Sequence, residues 1–325
     1  MDFRQLQYII QVAECGSITK AAAKLYITQP SLSNYISKLE RELGVLLFDR
    51  SVSPIQPTPA GEEYIKDAKR ILYIHEQLEK KLNDLSTVTR TRIRLGIPYE
   101  RGSLMLPQIL PEFYRQFPET EVKVYTAAGH RLREMLDNGA LDLFILPILG
   151  DENDDRHTLI YREELVLCAG RGIVRKEHLL PGRDDAVDLS KCYSLPFICV
   201  EAGHAISDTV DTVFPDLERE HNVVFTAYGV SQALRMAAAG VGVAIVPRMT
   251  LDLTRFDESA EIFSLGASPL SWNVCAIYRD DAYLGRAERA LIDIAVKQFS
   301  HYTKLLEGKE LQAKTANASN AFADI

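Results

Sequence analysis

The segment TQPSLSNYISKLERELG, residues 28–44, decides the fold of the N-terminal part of this chain. Thr28 is a good helix N-cap, Pro30 stands in the first turn, where a missing N–H costs nothing, and Gly44 suits a left-handed C-cap. These signals predict a helix over about 29–43. Its apolar residues recur at spacings of four, three and four and form one buried stripe: Leu32, Ile36, Leu39 and Leu43.

The opposite face of this helix carries short polar side chains and almost no acids. Hydroxyl and amide groups can approach phosphates and base edges, and a helix N-terminus itself favours anions. This composition is typical of a helix that lies in a DNA major groove. The alternative is an ordinary solvated face, but such faces usually hold Glu and Lys pairs. The face consists of Gln29, Ser31, Ser33, Asn34, Ser37 and Lys38.

Helical patterns precede this segment and a hairpin pattern follows it. Apolar residues at helical spacing predict a first helix, Gly16 ends it, and Ser17 caps a short alanine-rich second helix. Downstream, LLFDRSVSPIQPTPAGEEY (46–64) predicts two short strands around a Pro- and Ser-rich tip, a wing that carries Arg50. Thr58-Pro59 then begins another helix.

Together these motifs resemble the N-terminal winged helix-turn-helix of LysR-type transcriptional regulators. The matching residues are Gly16-Ser17, Ala21-Ala22, Thr28 to Ser33, Leu39-Glu40, Leu43-Gly44, Leu47-Phe48, Arg50 and Thr58 to Glu62. The resemblance implies a DNA-binding domain over 1–60, with Gln29 and Asn34 as base readers and Lys38 and Arg50 on phosphates. The full implied set is Ser17, Thr28, Gln29, Pro30, Ser31, Ser33, Asn34, Ser37, Lys38, Arg50 and Ser51.

Residues 61–88 predict a linker helix with a coiled-coil seam. Seven residues alternate at spacings of four and three: Tyr64, Ala68, Ile71, His75, Leu78, Leu82 and Leu85. A seam needs a partner helix, which a second copy of the chain supplies most simply, so we expect a homodimer or homotetramer. His75 could form a pH-sensitive pair across the dimer, although a packed neutral imidazole is the commoner outcome.

Residues 91–302 alternate strand and helix patterns, which predicts parallel α/β sheet in two lobes. Lobe 1 takes about 91–165 and 268–302, and lobe 2 takes about 166–267. The polar stretch 303–325 is predicted to be a disordered tail. The fold class is therefore mixed: an all-α winged helix-turn-helix and linker helix, then a two-lobed α/β domain. GALDLFILP and AAGVGVAIVP also resemble the effector domain of the same family, itself similar to type 2 periplasmic binding proteins.

That resemblance implies a small-molecule effector bound where strand ends of the two lobes meet. Arg101, His130, Arg131 and His204 near these ends favour a small carboxylate or another anion. The implied positions are Pro98, Tyr99, Gly102, Ser103, Ala128, Gly129, His130, Ile148, Glu201, Gly203, His204, Tyr228 and Pro247.

Composition and motif content argue against several classes of protein. The chain of 325 residues has a net charge of −8, so bulk charge alone does not nominate nucleic acid, and no apolar run reaches membrane-spanning length. Five scattered cysteines fit reduced thiols, and we expect a cytoplasmic protein. The usual hydrolase, zinc and dinucleotide motifs are missing, which argues against an enzyme, a metal site or a cofactor.

Two alternatives stay open. Some LysR-type regulators sense oxidants through a cysteine pair, and Cys192 and Cys199 occupy such a region. However, a buried inert thiol is the default for a cysteine in an apolar strand. The second alternative is a small-molecule binding protein whose N-terminal helices mediate association only.

Overall fold

A computed structural model describes residues 3–85, 91–149, 157–215, 222–254 and 260–323. These residues form two compact units, one containing residues 3–85 with 137–140 and one containing the remainder. The ends of the predicted linker helix, 86–88, and of the predicted tail, 324–325, lie outside the described residues. Within these ranges no helix is both long and apolar enough to cross a membrane.

The first unit begins with three helices, α1 (Phe3–Cys15), α2 (Ile18–Lys24) and α3 (Gln29–Leu43). The caps are those expected, because the Ser17 hydroxyl accepts from the amide of Lys20 and the Thr28 hydroxyl from that of Ser31. Gly44 ends α3 with φ +72°, a left-handed conformation that glycine adopts without a side-chain clash. Leu32 and Ile36 are fully buried in a small core with Ile9, Val12 and Phe48. Leu43, predicted to continue the buried stripe, is instead 44% exposed in the last turn of α3.

A two-stranded wing and a long helix complete the first unit. β1 (Phe48–Asp49) and β2 (Gln56–Pro57) pair antiparallel on either side of the Pro- and Ser-rich tip. α4 (Pro59–Leu85) then runs for 27 residues and packs against α1 through residues such as Ile65. The predicted helix-turn-helix and wing are therefore confirmed element by element.

The second unit opens with strand-helix repeats that form lobe 1. Its elements are β3 (Arg92–Gly96), α5 (Tyr99–Gln116), β4 (Glu121–Tyr125), α6 (Gly129–Asp137) and β5 (Leu143–Ile148). β3 lies between β4 and β5 and is parallel to both. Because the strands are parallel, α5 and α6 both begin at the same edge of the sheet.

β6 (His157–Ala169) leads from lobe 1 into lobe 2. There follow β7 (Ala186–Val187), α7 (Leu189–Cys192), β8 (Phe197–Val200), α8 (Ala205–Val213), β9 (Val223–Ala227), α9 (Val230–Ala238), β10 (Val243–Pro247), α10 (Arg248–Leu253) and β11 (Glu261–Leu265). β8 is parallel to β9 and β10. The repeat of lobe 1 thus recurs, and α8 and α9 begin at the carboxyl ends of their strands.

The long strand β6 joins the two lobes. β12 (Ser271–Ile277) pairs with β5 and with the first part of β6, whereas β10 and β11 pair with the last part of β6. One strand therefore belongs to both sheets, and a continuous apolar core extends along it. The two-lobed α/β architecture matches the predicted fold class.

The C-terminal tail differs from its prediction. α11 (Arg286–Ala323) continues through most of the segment that we expected to be disordered. Tyr302 and Leu306 are buried, Lys309 Nζ lies 2.6 Å from Glu164 Oε2, and Arg162 Nη2 lies 2.8 Å from Glu310 Oε1. Polar composition predicted disorder, but the partners of these side chains are about 150 residues away in sequence and no local pattern indicates them.

Candidate nucleic-acid interface and ligand cleft

The polar face of α3 is directed outward. Gln29, Pro30, Ser31, Asn34 and Lys38 are exposed, and Ser33 and Ser37 are half-buried. There is no acid in the first turn, and Glu42, near the end of the helix, pairs with Lys38 at 3.8 Å. The N-terminal half of α3 is therefore an uncharged, hydrogen-bonding surface with free helix amides beside it.

The two capping hydroxyls keep their protons available. Ser17 Oγ accepts from Lys20 N at 3.3 Å, and Thr28 Oγ1 accepts from Ser31 N at 3.4 Å. A hydroxyl that accepts in this way still has one O–H to donate. Both side chains can therefore cap a helix and donate to a phosphate oxygen at the same time.

Two predicted DNA-contact residues of the wing, Arg50 and Ser51, already interact with other side chains of the first unit. Arg50 Nη2 lies 2.9 Å from Oε2 of the buried Glu40, whose other oxygen accepts from the amides of Leu47 and Phe48. Ser51 donates its hydroxyl proton to Asp49 at 2.6 Å. Ser51 therefore has no hydroxyl proton left for a phosphate, and Arg50 ties the wing to α3 as well as facing solvent.

The linker seam divides into a covered and an uncovered part. Ala68 is 2% exposed within the single chain, Tyr64 is half-buried, and the His75 ring lies 4.2 Å from the ring of Phe3. Further along α4, Leu78 and Leu82 are 53% and 56% exposed, and Ile71 and Leu85 are also exposed. Exposed apolar side chains are costly in water, and the distal seam is the part of the predicted coiled coil that the single chain leaves uncovered.

A cleft of about 630 Å³ opens between the two lobes of the second unit. Its size is within the usual range for small-molecule sites. Helices of both lobes present their N-termini to it: α5 and α6 from lobe 1, and α8, α9 and α10 from lobe 2. Eight of the predicted positions line it, namely Pro98, Tyr99, Ala128, Gly129, His130, Gly203, His204 and Pro247.

Five predicted positions do not line the cleft. Gly102 is buried against Ile97, and the hydroxyl of Ser103 returns to the carbonyl of Glu100 at 2.7 Å. The others lie at strand ends but do not border the cavity: Ile148, Glu201 and Tyr228. Proximity to a strand end was the only sequence signal for all five, and it does not say which way a side chain points.

The arginine that α6 contributes to the cleft is Arg133 and not Arg131, the residue predicted from the sequence. Arg133 lines the cleft, while Arg131 pairs with Glu134 at 2.6 Å away from it. Gly129, His130 and Arg133 share one helix face because they are three and four residues apart. Helical periodicity applied to α6 would have selected Arg133.

Arg101 reaches the cleft, but its charge is already neutralised. Its Nη1 lies 2.6 Å from the Tyr161 hydroxyl and 3.1 Å from Oε1 of Glu163, which is 0% exposed. The same oxygen accepts from Trp272 Nε1 at 2.7 Å, and the other accepts from Met249 N at 3.2 Å. Burial raises the pKa of Tyr161 well above its usual value, so this hydroxyl stays protonated.

A second carboxylate, that of Glu100 on α5, crosses the cleft to lobe 2. Its Oε2 accepts from Val230 N at 2.6 Å and its Oε1 from Ser231 N at 3.0 Å. These are the first two amides of α9, which have no acceptor within the helix. Glu100 therefore satisfies the anion preference of that helix N-terminus.

The N-termini of α6 and α8 also face the cavity. His204 is the N-cap of α8 and makes no side-chain capping bond, and Asp208 in the first turn of α8 reaches the rim. With His130 and Arg133 on the opposite wall, this end of the cleft collects amide dipoles and one cationic side chain. Thr126 and Thr250 add hydroxyl groups to the lining.

Two of the buried cysteines, Cys192 and Cys168, do not resemble reactive thiols, whereas Cys199 is only partly buried. Burial raises the pKa of Cys192 to about 12 and that of Cys168 to about 11. A thiol needs a lowered pKa to react as thiolate at neutral pH, so these shifts have the opposite sign. Across the described part of the chain, no group of three or more His, Cys, Asp or Glu side chains is placed to hold a metal ion.

Two family models match this chain. The model described as a bacterial regulatory helix-turn-helix protein of the lysR family matches residues 3–62. The model described as the LysR substrate binding domain matches residues 86–300, which is well over half of the chain. The two matches follow the division into a helical unit and a two-lobed unit.

Similar curated proteins are transcriptional regulators by name. The uncharacterized HTH-type transcriptional regulator YcgK of Bacillus subtilis is 26% identical over 310 residues, covering 91% of this chain and 94% of that protein. The hydrogen peroxide-inducible genes activator of Dickeya chrysanthemi is 25% identical over 306 residues, covering 94% and 98%.

Solved structures share the fold. A full-length OxyR variant from Pseudomonas aeruginosa has a TM-score of 0.69 at 22% identity, covering 91% of this chain and 94% of that one. Full-length CbnR in complex with its target DNA has a TM-score of 0.58 at 20% identity, covering 92% and 100%. With both family models matched in order along the chain, this protein belongs to the LysR family of transcriptional regulators.

Proposed function

We propose that this LysR-type regulator acts as a homodimer or homotetramer that reads a two-part duplex DNA site, and that a small anionic metabolite in the interlobe cleft controls it without catalysis. The observation that carries the proposal is the exposed, acid-poor N-terminal half of α3, with Leu32 and Ile36 buried behind it. A DNA complex of the similar CbnR supports this use of the fold.

Binding of the full-length protein to promoter fragments, including the region upstream of its own gene, tests this proposal directly. Neutralised phosphates release counterions, so we expect affinity to fall steeply and log-linearly as salt rises. Failure to bind any such fragment at low salt would reject the DNA-binding proposal.

The distal seam of α4 predicts how the protein assembles. Leu82→Glu places a charge where we propose that two α4 helices pack, so the assembly should dissociate towards monomer at micromolar concentration. Sedimentation equilibrium of the full-length protein measures the change.

Lys66→Gln serves as the control for Leu82→Glu. It changes the net charge by the same amount at an exposed position of α4, on the side away from the seam. This variant should retain the wild-type assembly state. A Leu82→Glu protein of unchanged mass would show that the seam does not hold the assembly together.

An acidic ligand is expected at the end of the cleft where α6 and α8 begin. Anions are stabilised at helix N-termini, and the first residues of α6 and α8 both line the cleft. Arg133 adds a guanidinium that can bind a carboxylate through two hydrogen bonds. Arg101, by contrast, is already paired with Glu163.

A thermal-shift screen with small carboxylic acids should identify the ligand class. Saturation at about 100 times the Kd should raise the Tm by roughly 5–10 °C, because a ligand bound to the native state adds about 2.7 kcal/mol. Arg133→Gln should remove most of that shift. An amino-acid panel tests whether Asp208 also binds a cationic group.

Arg131→Gln is the matched control, because it removes the same charge from the same helix outside the cleft. Its ligand response should equal that of the wild type. Equal losses in the two variants would show that Arg133 acts only through general electrostatics and would contradict its proposed contact.

Oxidant sensing is the runner-up, because several relatives are named as hydrogen peroxide-inducible activators. The raised pKa of the buried Cys192 thiol does not favour it here. Control of DNA binding by a metabolite is therefore the proposed function.

A further inference from the structure

Glu100 joins two elements that belong to different lobes. It lies in the first turn of α5 in lobe 1, and both of its carboxylate oxygens accept from amides of α9 in lobe 2, 130 and 131 residues away in sequence. Each of these hydrogen bonds has an ionised acceptor, which makes it stronger than a neutral one. Any movement of the lobes apart must break both bonds.

Gly229 shows that the fold leaves room for this carboxylate. A Cβ added at Gly229 would lie 2.6 Å from Oε1, 2.7 Å from Cδ and 2.9 Å from Oε2 of Glu100. The backbone does not require glycine there, because its φ of −172° is an extended conformation that any residue adopts. The Glu100 carboxylate thus occupies the space that a side chain at residue 229 would fill.

Glu163 and Glu100 make the same type of interlobe bond in different surroundings. Glu163 caps α10 of lobe 2 from lobe 1, but it is 0% exposed and is shared among four donors, so it belongs to the buried core. Glu100 lines the solvent-accessible cleft and is only partly buried. It can be released without opening the core.

We propose that Glu100 is an interlobe latch that closes the cleft by occupying the α9 amides in place of a ligand anion; the part played by that anion rests on the proposed function. An acidic ligand that reached α9 would have to displace it, so ligand acids are directed to the α6 and α8 end instead. Displacement of Glu100 and opening of the lobes are one event.

Two readouts on the full-length protein, without DNA or ligand, test the latch separately from the DNA-binding experiments. Hydrogen exchange at Val230 and Ser231 reports the bonds, because these amides have no other acceptor in α9. Acrylamide quenching of Trp272 reports cleft opening, because Trp272 lines the cleft and is the only tryptophan of the chain.

Glu100→Ala and Gly229→Ala should have the same effect by different routes. The first removes the carboxylate and the second excludes it from its site. In each, exchange at the two amides should accelerate about ten- to a hundredfold. The quenching constant of Trp272 should rise about twofold as the lobes separate more often.

The double variant distinguishes a latch from general damage. If Gly229→Ala acts by expelling Glu100, it should add nothing to exchange or quenching in the Glu100→Ala background. Glu112→Gln is the control, since it alters a carboxylate of the same helix that pairs with Lys297 inside lobe 1. It should leave both readouts unchanged.

Each remaining outcome overturns the proposal. Unchanged exchange in either single variant would show that Glu100 does not hold the α9 amides in solution. Faster exchange with unchanged quenching would show that the bonds form but do not hold the lobes together. Additive effects in the double variant would show that Gly229→Ala acts independently of Glu100.

Discussion

Asn34→Glu should weaken binding of the regulator to its promoter DNA by about a hundredfold at moderate salt, because it removes a proposed base contact and adds a charge beside phosphates. Asn34 is exposed on α3, so the substitution leaves the core intact. Asn34→Glu tests DNA contact more specifically than a change at Ser33, which is half-buried, or at Arg50, which also pairs with the buried Glu40. Fluorescence anisotropy with a labelled promoter fragment measures the loss.

Gln7→Glu is the matched control for Asn34→Glu. It adds the same charge at an exposed position of the same unit, on α1. Its Kd should stay within about threefold of wild type, because only long-range repulsion of DNA remains. An Asn34→Glu protein that bound as tightly as this control would show that the polar face of α3 does not contact the duplex.

Glu163→Ala should destabilise the second unit by about 3–5 kcal/mol, since removing one partner leaves the Arg101 charge buried without compensation. Arg101 is 8% exposed and Glu163 is 0% exposed, so water cannot replace the lost carboxylate. Urea unfolding followed by Trp272 fluorescence measures this unit selectively, because it contains the only tryptophan.

Two further variants separate a buried pair from an exposed one. Glu121→Gln breaks the solvent-exposed pair with Arg92 at 2.8 Å and should cost under about 1 kcal/mol. Adding Arg101→Met to Glu163→Ala should recover part of the loss, because the uncompensated charge is then gone. A Glu163→Ala loss no larger than that of Glu121→Gln would contradict the structural role of this network.

The helices and the wing of the first unit could be predicted because their determinants are local. Thr28, Pro30 and Gly44 fix the ends of α3 through bonds and torsions that span only a few residues. The apolar stripe that includes Leu32 and Ile36 follows helical periodicity, so the outward face is determined as well. The main alternation of strands and helices in the two lobes was readable for the same reason, whereas β7, α7, α10 and β11 were not predicted.

The cleft could be placed from the sequence, but its chemistry could not. Strand-helix repeats locate the helix N-termini that surround it, and eight of the predicted positions do line it. They do not show that Arg101 is neutralised by Glu163, 62 residues later, or that Glu100 already fills the α9 N-terminus. Both facts depend on which distant side chains the fold brings within bonding distance.

Local sequence thus determined the DNA-binding helices, the wing, the heptad seam and the alternation of two α/β lobes, because caps, turns and periodicity act over a few residues. Tertiary structure alone decided which charges in the cleft remain available and which part of the seam is uncovered. It also decided that α11 continues as a helix past Leu306. Those outcomes depend on burial and on hydrogen bonds between residues about 60 to 150 positions apart in the sequence. No short sequence pattern predicts such contacts.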